Sequence, residues 1–121
     1  MRRVNHKELK KNIKEILIKF GSNNFSAESV SRGLVETSLR GVDSHGIRLI
    51  PHYLNALKNG RINGKPAFKK INSFPAFIGL DADGAFGHAA GFKSIEIGID
   101  LANQYGIGAI SVFNSSHPGA M

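Results

Sequence analysis

Cysteine and tryptophan are both missing from this 121-residue chain, and acidic side chains are few. Without cysteine there is no disulfide, no thiolate nucleophile and no sulfur-ligated metal. Long apolar runs are missing too: none approaches the length needed to cross a bilayer. Met1, Arg2 and Arg3 lead into a lysine-rich polar stretch rather than the apolar core of a signal peptide. Together these absences lead us to expect a cytoplasmic protein. No internal repeat, low-complexity tract or linker interrupts the chain. The five histidines show no H-E-x-x-H or comparable spacing, so no metal site is expected. Gly84, Gly87 and Gly91 precede a helical stretch but do not have the G-x-G-x-x-G spacing. Residues 87–94 end in Lys93-Ser94 without the gap or the adjacent Gly-Lys of a phosphate loop.

What is present is a basic, moderately apolar chain whose length suits one small core. Sixteen lysines and arginines against nine acidic residues give a net charge of +7. Much of the excess lies early, at Arg2, Arg3, Lys7, Lys10, Lys11, Lys14 and Lys19. A solvated helix face explains that stretch, because no aromatic platform or nucleic-acid motif accompanies it. The alternative is a small basic module that binds an anionic partner.

Periodicity and punctuation divide the chain. Asn5, with Glu8 three residues on, caps a first helix whose apolar face is Leu9, Ile13, Ile16, Leu17 and Phe20, and Gly21 stops it. A second helix is expected from Ser26 to Leu39. A third begins near Ile47, with Pro51 in its first turn because proline is not tolerated deeper. Two short strands are expected at residues 67–71 and 76–80, with a turn at 81–84. A fourth helix, residues 88–105, is read with Phe92, Ile95, Ile99 and Ala102 inward, followed by a buried strand at 107–113. The fold class is α/β of an α+β-like kind: residues 1–60 form a helical region, and 61–121 begin a central α/β domain whose sheet lacks partners for its last strand.

Two loops concentrate chemistry. Asp43-Ser44-His45-Gly46-Ile47-Arg48 sets a hydroxyl, an imidazole and a guanidinium at a helix start, where free N–H groups favour an anion. Arg48 has the geometry to grip a carboxylate, and His45 can donate a hydrogen bond. Taken alone, Asp43 and Ser44 serve equally well as caps and His45 as a surface residue. The second loop, Asn114-Ser115-Ser116-His117-Pro118-Gly119, leaves the carboxyl end of a strand, where α/β sheets hold ligands. His117 there suits a general acid/base, or is simply a polar loop residue.

Together the two loops resemble a known family. Asp43-Ser44-His45-Gly46-Ile47-Arg48-Leu49-Ile50-Pro51-His52-Tyr53, then Gly60-Arg61-Ile62-Asn63 and Pro66, look like the first signature of the malate/L-lactate dehydrogenase family. Asp81-Ala82-Asp83-Gly84-Ala85-Phe86-Gly87-His88 and Gly106-Ile107-Gly108 resemble its middle signature, and residues 114–120 its catalytic-histidine loop. The resemblance implies the amino-terminal third of an oxidoreductase that moves a hydride between NAD or NADP and a small 2-hydroxy or 2-oxo acid, or a related imine. It further implies a non-Rossmann nicotinamide-binding fold with the start of a mixed sheet, and a homodimer at full length. Neither nucleic acid nor membrane is an expected partner. Carried over by position, His117 and His45 are catalytic, Arg48 and Tyr53 line the substrate, and Ser44 and His45 border the cofactor. The chain alone is expected to be inactive, because most of the cofactor surface belongs to the rest of the family fold. Two departures stand out. In many members the arginine lies four residues after the loop histidine. Here Arg48 lies three after and Leu49 holds the other place, a turn of about 100° around a helix. Position 88 is histidine where glutamine is common.

Overall fold

The computed structural model describes residues 2–119. Helix α1 (His6–Lys19) starts where Asn5 Oδ1 accepts the amides of Lys7 and Glu8, and it buries Ile13 and Leu17. Ile16 and Phe20, expected on the same inner face, are 39% and 47% exposed. Helix α2 (Asn24–Leu39) starts earlier than expected. Its cap is Asn23, which accepts Ser26 N at 2.8 Å. Ser26 therefore lies inside the first turn, with its own amide satisfied.

After Gly41 the chain makes two short 3-10 turns, Asp43–His45 and Ile47–Leu49. Helix α3 (Ile50–Lys58) then carries Pro51 in its first turn, where a missing N–H breaks no bond. Tyr53 and Ala56 of α3 pack with Ile13, Leu17, Val30, Leu34, Phe86 and Ala89 in the larger core cluster.

Strands β1 (Lys69–Phe74) and β2 (Phe77–Ala85) form an antiparallel hairpin. Helix α4 (Gly87–Tyr105) crosses over, and β3 (Ala109–Ser115) pairs parallel to β2, giving the order β1-β2-β3. The mixed sheet after a helical start agrees with the expected fold class. Two local expectations fail. β2 runs through residues 81–84, where the sequence leads one to expect a turn. Asp83 and Gly84 do take positive φ, 53° and 72°, but they form an irregularity in the β2–β3 register rather than a chain reversal. On α4 the sheet-facing residues are Ile97 and Leu101, packed on Ile78 and Leu80, while Ile95 and Ile99 are 62% and 56% exposed. Helical period identifies apolar stripes, and α4 has two; contact with the sheet selects one. Among the described residues β3 pairs on one side only. It is an edge strand with Phe113 half exposed, as expected for an apolar strand whose sheet partners this stretch of sequence does not supply.

Candidate functional site

The site is assembled where the end of β3 meets the start of α4. Asn114 takes positive φ, 55°, and its Nδ2 donates to Asp81 Oδ1 at 3.0 Å. Asp81 Oδ1 also accepts the amide of Asp83, and these two bonds hold its carboxyl below the usual range. One residue past the strand, Ser116 N donates to Ala85 O, and Gly87 N donates to Ser116 Oγ at 3.1 Å. Ser116 thus supplies the cap that Phe86, just before α4, cannot. Gly87 is required here: a Cβ would stand 2.4 Å from Pro118 Cα and 2.5 Å from Ser116 O. The His117 loop therefore lies directly on the first turn of α4.

The first loop is fixed by α2. Ser38 Oγ accepts Ile47 N at 3.0 Å, and a Cβ on Gly46 would collide with that oxygen. This contact turns His45 toward the second loop. The His45 and His117 rings lie 5.8 Å apart between centroids, tilted by 33°. Ser44 Oγ shares a 2.8 Å hydrogen bond with His45 Nδ1. Gly119 N donates to His117 Nδ1 at 3.1 Å, which leaves the proton of the neutral ring on Nε2. His117 is therefore set as a hydrogen-bond donor through Nε2.

A cavity of about 470 Å³ opens beside His117, lined by His52, Ala56, Arg61, Ile62 and Ser116. Of the residues singled out from the sequence, the fold brings His45 and His117 together, with Ser44 bonded to His45. Arg48 is exposed and does not line this cavity. Tyr53 is 1% exposed, with its ring edge-on to Phe86 and His88 at 5.6 and 5.7 Å, and burial raises its hydroxyl pKa. Arg61 and His52 went unassigned because loop and helix spacing gave no reason to place them beside His117. In the sequence His88 stands out only as a departure from the family pattern. It is 5% exposed, and its pKa is lowered to about 4 by burial, with a smaller contribution from His117.

A larger groove, about 570 Å³, lies between α1 and α2, away from both histidine loops. Its Lys10 and Lys14 are paired with Glu28 at 2.6 and 3.0 Å, and these bonds lower the pKa of Glu28. No histidine pair or buried polar group gives that groove a chemistry. Among the described residues no three histidine or carboxylate side chains gather as around a metal. Nor is any helix among them long and apolar enough to cross a membrane.

A helical layer leading into a mixed sheet, with two histidine loops meeting at a strand end, defines the class as α/β. The comparisons identify it further: the family model for malate/L-lactate dehydrogenase matches residues 4–121, and the chain belongs to that family. It is 34% identical over 117 residues to a malate dehydrogenase of Pyrococcus abyssi, covering 97% of this chain and 32% of that protein. It is 37% identical over 110 residues to L-sulfolactate dehydrogenase of Methanocaldococcus jannaschii, covering 91% and 32%. Among solved structures, malate dehydrogenase from Pyrococcus horikoshii superposes with a TM-score of 0.93 at 32% identity, over 98% of this chain and 34% of that one. The chain thus spans about a third of the length of the relatives it matches.

Proposed function

We propose that this chain is the amino-terminal third of an oxidoreductase that transfers a hydride between NAD(H) or NADP(H) and a small 2-oxo or 2-hydroxy acid, or a related imine. The observation that carries the reading is the close approach of His45 and His117, 72 positions apart in sequence, beside a cavity of about 470 Å³. In the reductive direction His117 Nε2–H donates to the substrate oxygen, where negative charge develops as the carbonyl is reduced. To deliver a proton, His117 must first take up a second one at Nδ1, which breaks the bond from Gly119 N; the imidazolium then gives its Nε2 proton to the substrate oxygen and returns to the neutral ring. His45, held by Ser44, orients the substrate oxygen or the nicotinamide amide. Arg48 was the first candidate to hold the substrate carboxylate; Arg61, which lines the cavity with His117, is a second. Tyr53 supports the wall from beneath.

The nicotinamide, when bound, supplies or takes the hydride. The residues present suit its reactive end, because the Ser44–His45 pair and His117 offer hydrogen-bonding groups of the right kind. Among the described residues there is no glycine-rich turn to cradle its phosphates, so this part of the fold does not hold the whole dinucleotide. On this reading the helical residues 1–60 and the α/β start at 61–121 become active only with the rest of the family fold, as a cytoplasmic homodimer. The chain alone is inactive.

The test is an assay of the full-length gene product with NADH and NADPH against a panel of 2-oxo acids and cyclic imines, beside His117→Ala. Turnover that His117→Ala lowers by roughly 100-fold or more supports the reading. No turnover with any pair, or a fully active His117→Ala, overturns it.

A further inference from the structure

His88 presents a polar ring where packing alone would favour an apolar one. It is 5% exposed, and neither Nδ1 nor Nε2 has a hydrogen-bond partner among the described residues. The ring is clamped between two glycines. A Cβ on Gly33 of α2 would stand 2.4 Å from His88 Cδ2, and a Cβ on Gly119 would stand 2.7 Å from Nε2. Tyr53 closes the third side, edge-on at 5.7 Å, and its hydroxyl also lacks a partner among the described residues. A leucine or phenylalanine would fill this space without burying unpaired nitrogens.

The clamp leads directly to His117. The loop has two anchors, one on each side of that histidine. Before it, Ser116 is bonded to Ala85 and Gly87. After it, Gly119 lies against the His88 ring and gives its N–H to His117 Nδ1 at 3.1 Å. His88 thus fixes the backbone of Gly119, and Gly119 fixes the tautomer and direction of the His117 ring.

We infer that His88 is a positioning residue for His117, acting through the Gly119 backbone and not by touching the substrate. The inference rests on the oxidoreductase reading for its effect on turnover, but its structural part stands separately. A positioning residue affects the reacting geometry more than the ground-state grip on substrate. His88→Leu in the full-length gene product should therefore lower kcat by about tenfold or more with KM within about twofold of wild type. His88→Gln, neutral and of similar reach with a donor and an acceptor, should keep kcat within about threefold of wild type. Gly119→Ala presses a methyl on the same buried ring from the loop side and adds backbone strain of its own at a φ of 74°, so it should reproduce the kcat loss. If His88→Leu fails to fold by circular dichroism, His88→Asn, a shorter polar side chain at the same place, decides the matter by the same kcat loss at constant KM.

The second readout needs no activity. In protein labelled with ¹⁵N-histidine, ring nitrogen shifts should report the Nε2–H form of His117 in wild type and His88→Gln, and a mixture of tautomers in His88→Leu and Gly119→Ala. Full turnover and an unchanged His117 tautomer in both perturbed variants would overturn the inference. So would a rise in KM at constant kcat, which would put His88 on the substrate instead. If the wild type reduces nothing, the oxidoreductase reading fails, and the tautomer measurement alone decides the positioning role.

Discussion

Acidification should weaken this fold through His88. In the unfolded chain its imidazole titrates near 6.5; in the folded chain burial, and secondarily His117, lower that value to about 4. Between the two values the unfolded state holds a proton that the folded state refuses, so stability rises with pH across that window. The contribution is intact above 6.5, falls as the pH drops toward 4, and changes no further below it. A separation of about two and a half units at 1.36 kcal/mol each amounts to about 3 kcal/mol, a large share of the stability of a small domain. The ring is almost fully buried, so solvent screening does little to reduce that figure. The titratable and charged groups around it are Tyr53 edge-on to the ring, His117 across the loop, and Arg32, Glu36 and Arg40 of α2, which share a groove with it. The assay is denaturant unfolding at stepped pH, followed by far-ultraviolet circular dichroism because the chain has no tryptophan. His88→Gln removes this titration and leaves the other four histidines in place. The wild-type stability should therefore fall more steeply than that of the variant between pH 6.5 and 4, by an amount on the order of 3 kcal/mol. Parallel curves for the two proteins across the window would refute the reasoning.

Three further outcomes follow from the geometry. Gly87→Ala forces a methyl against the Pro118 and Ser116 backbone, so it should destabilise by about 1–3 kcal/mol and dislodge the His117 loop; thermal melts and turnover should fall together. Arg61→Ala should raise KM for the acid substrate by roughly tenfold if Arg61 holds the carboxylate, while Arg48→Ala does so if Arg48 holds it; the pair of KM values assigns the grip. Ile95, Ile99, Ile107 and Phe113 leave apolar surface on α4 and beside the open edge of β3. The isolated chain should therefore self-associate, and Phe113→Lys should reduce its light scattering at equal concentration.

Caps and breakers were legible from the residues themselves. Asn5 and Pro51 act where local rules place them, because each acts on its own or adjacent backbone. The irregular stretch at 81–84 was half legible. Asp83 and Gly84 do adopt turn-like dihedrals, but Asp83 Oδ2 accepts Asn63 Nδ2 and Ala67 N, and these distant partners keep the segment inside β2. On α4, sequence period could not decide which apolar stripe meets the sheet, since that depends on where β2 and β3 lie. Much of the site was legible as two separate loops. Their meeting was not, because Ser38 beneath Gly46 and Gly87 beneath Pro118 create it through contacts remote in sequence. Arg61, His52 and His88 entered the site for the same reason: only the folded backbone brings them to His117.

On the proposed function, hydride passes directly between nicotinamide and substrate at the His45–His117 site. That transfer is tested most directly by running the full-length gene product with NAD(P)H deuterated at the transferring carbon and a panel of 2-oxo acids and imines, then locating the label by NMR. One deuterium is expected on the carbon that bore the oxo or imine group, in product formed far more slowly by His117→Ala. Product without label at that carbon, or no labelled product from any substrate with either nucleotide, would contradict it.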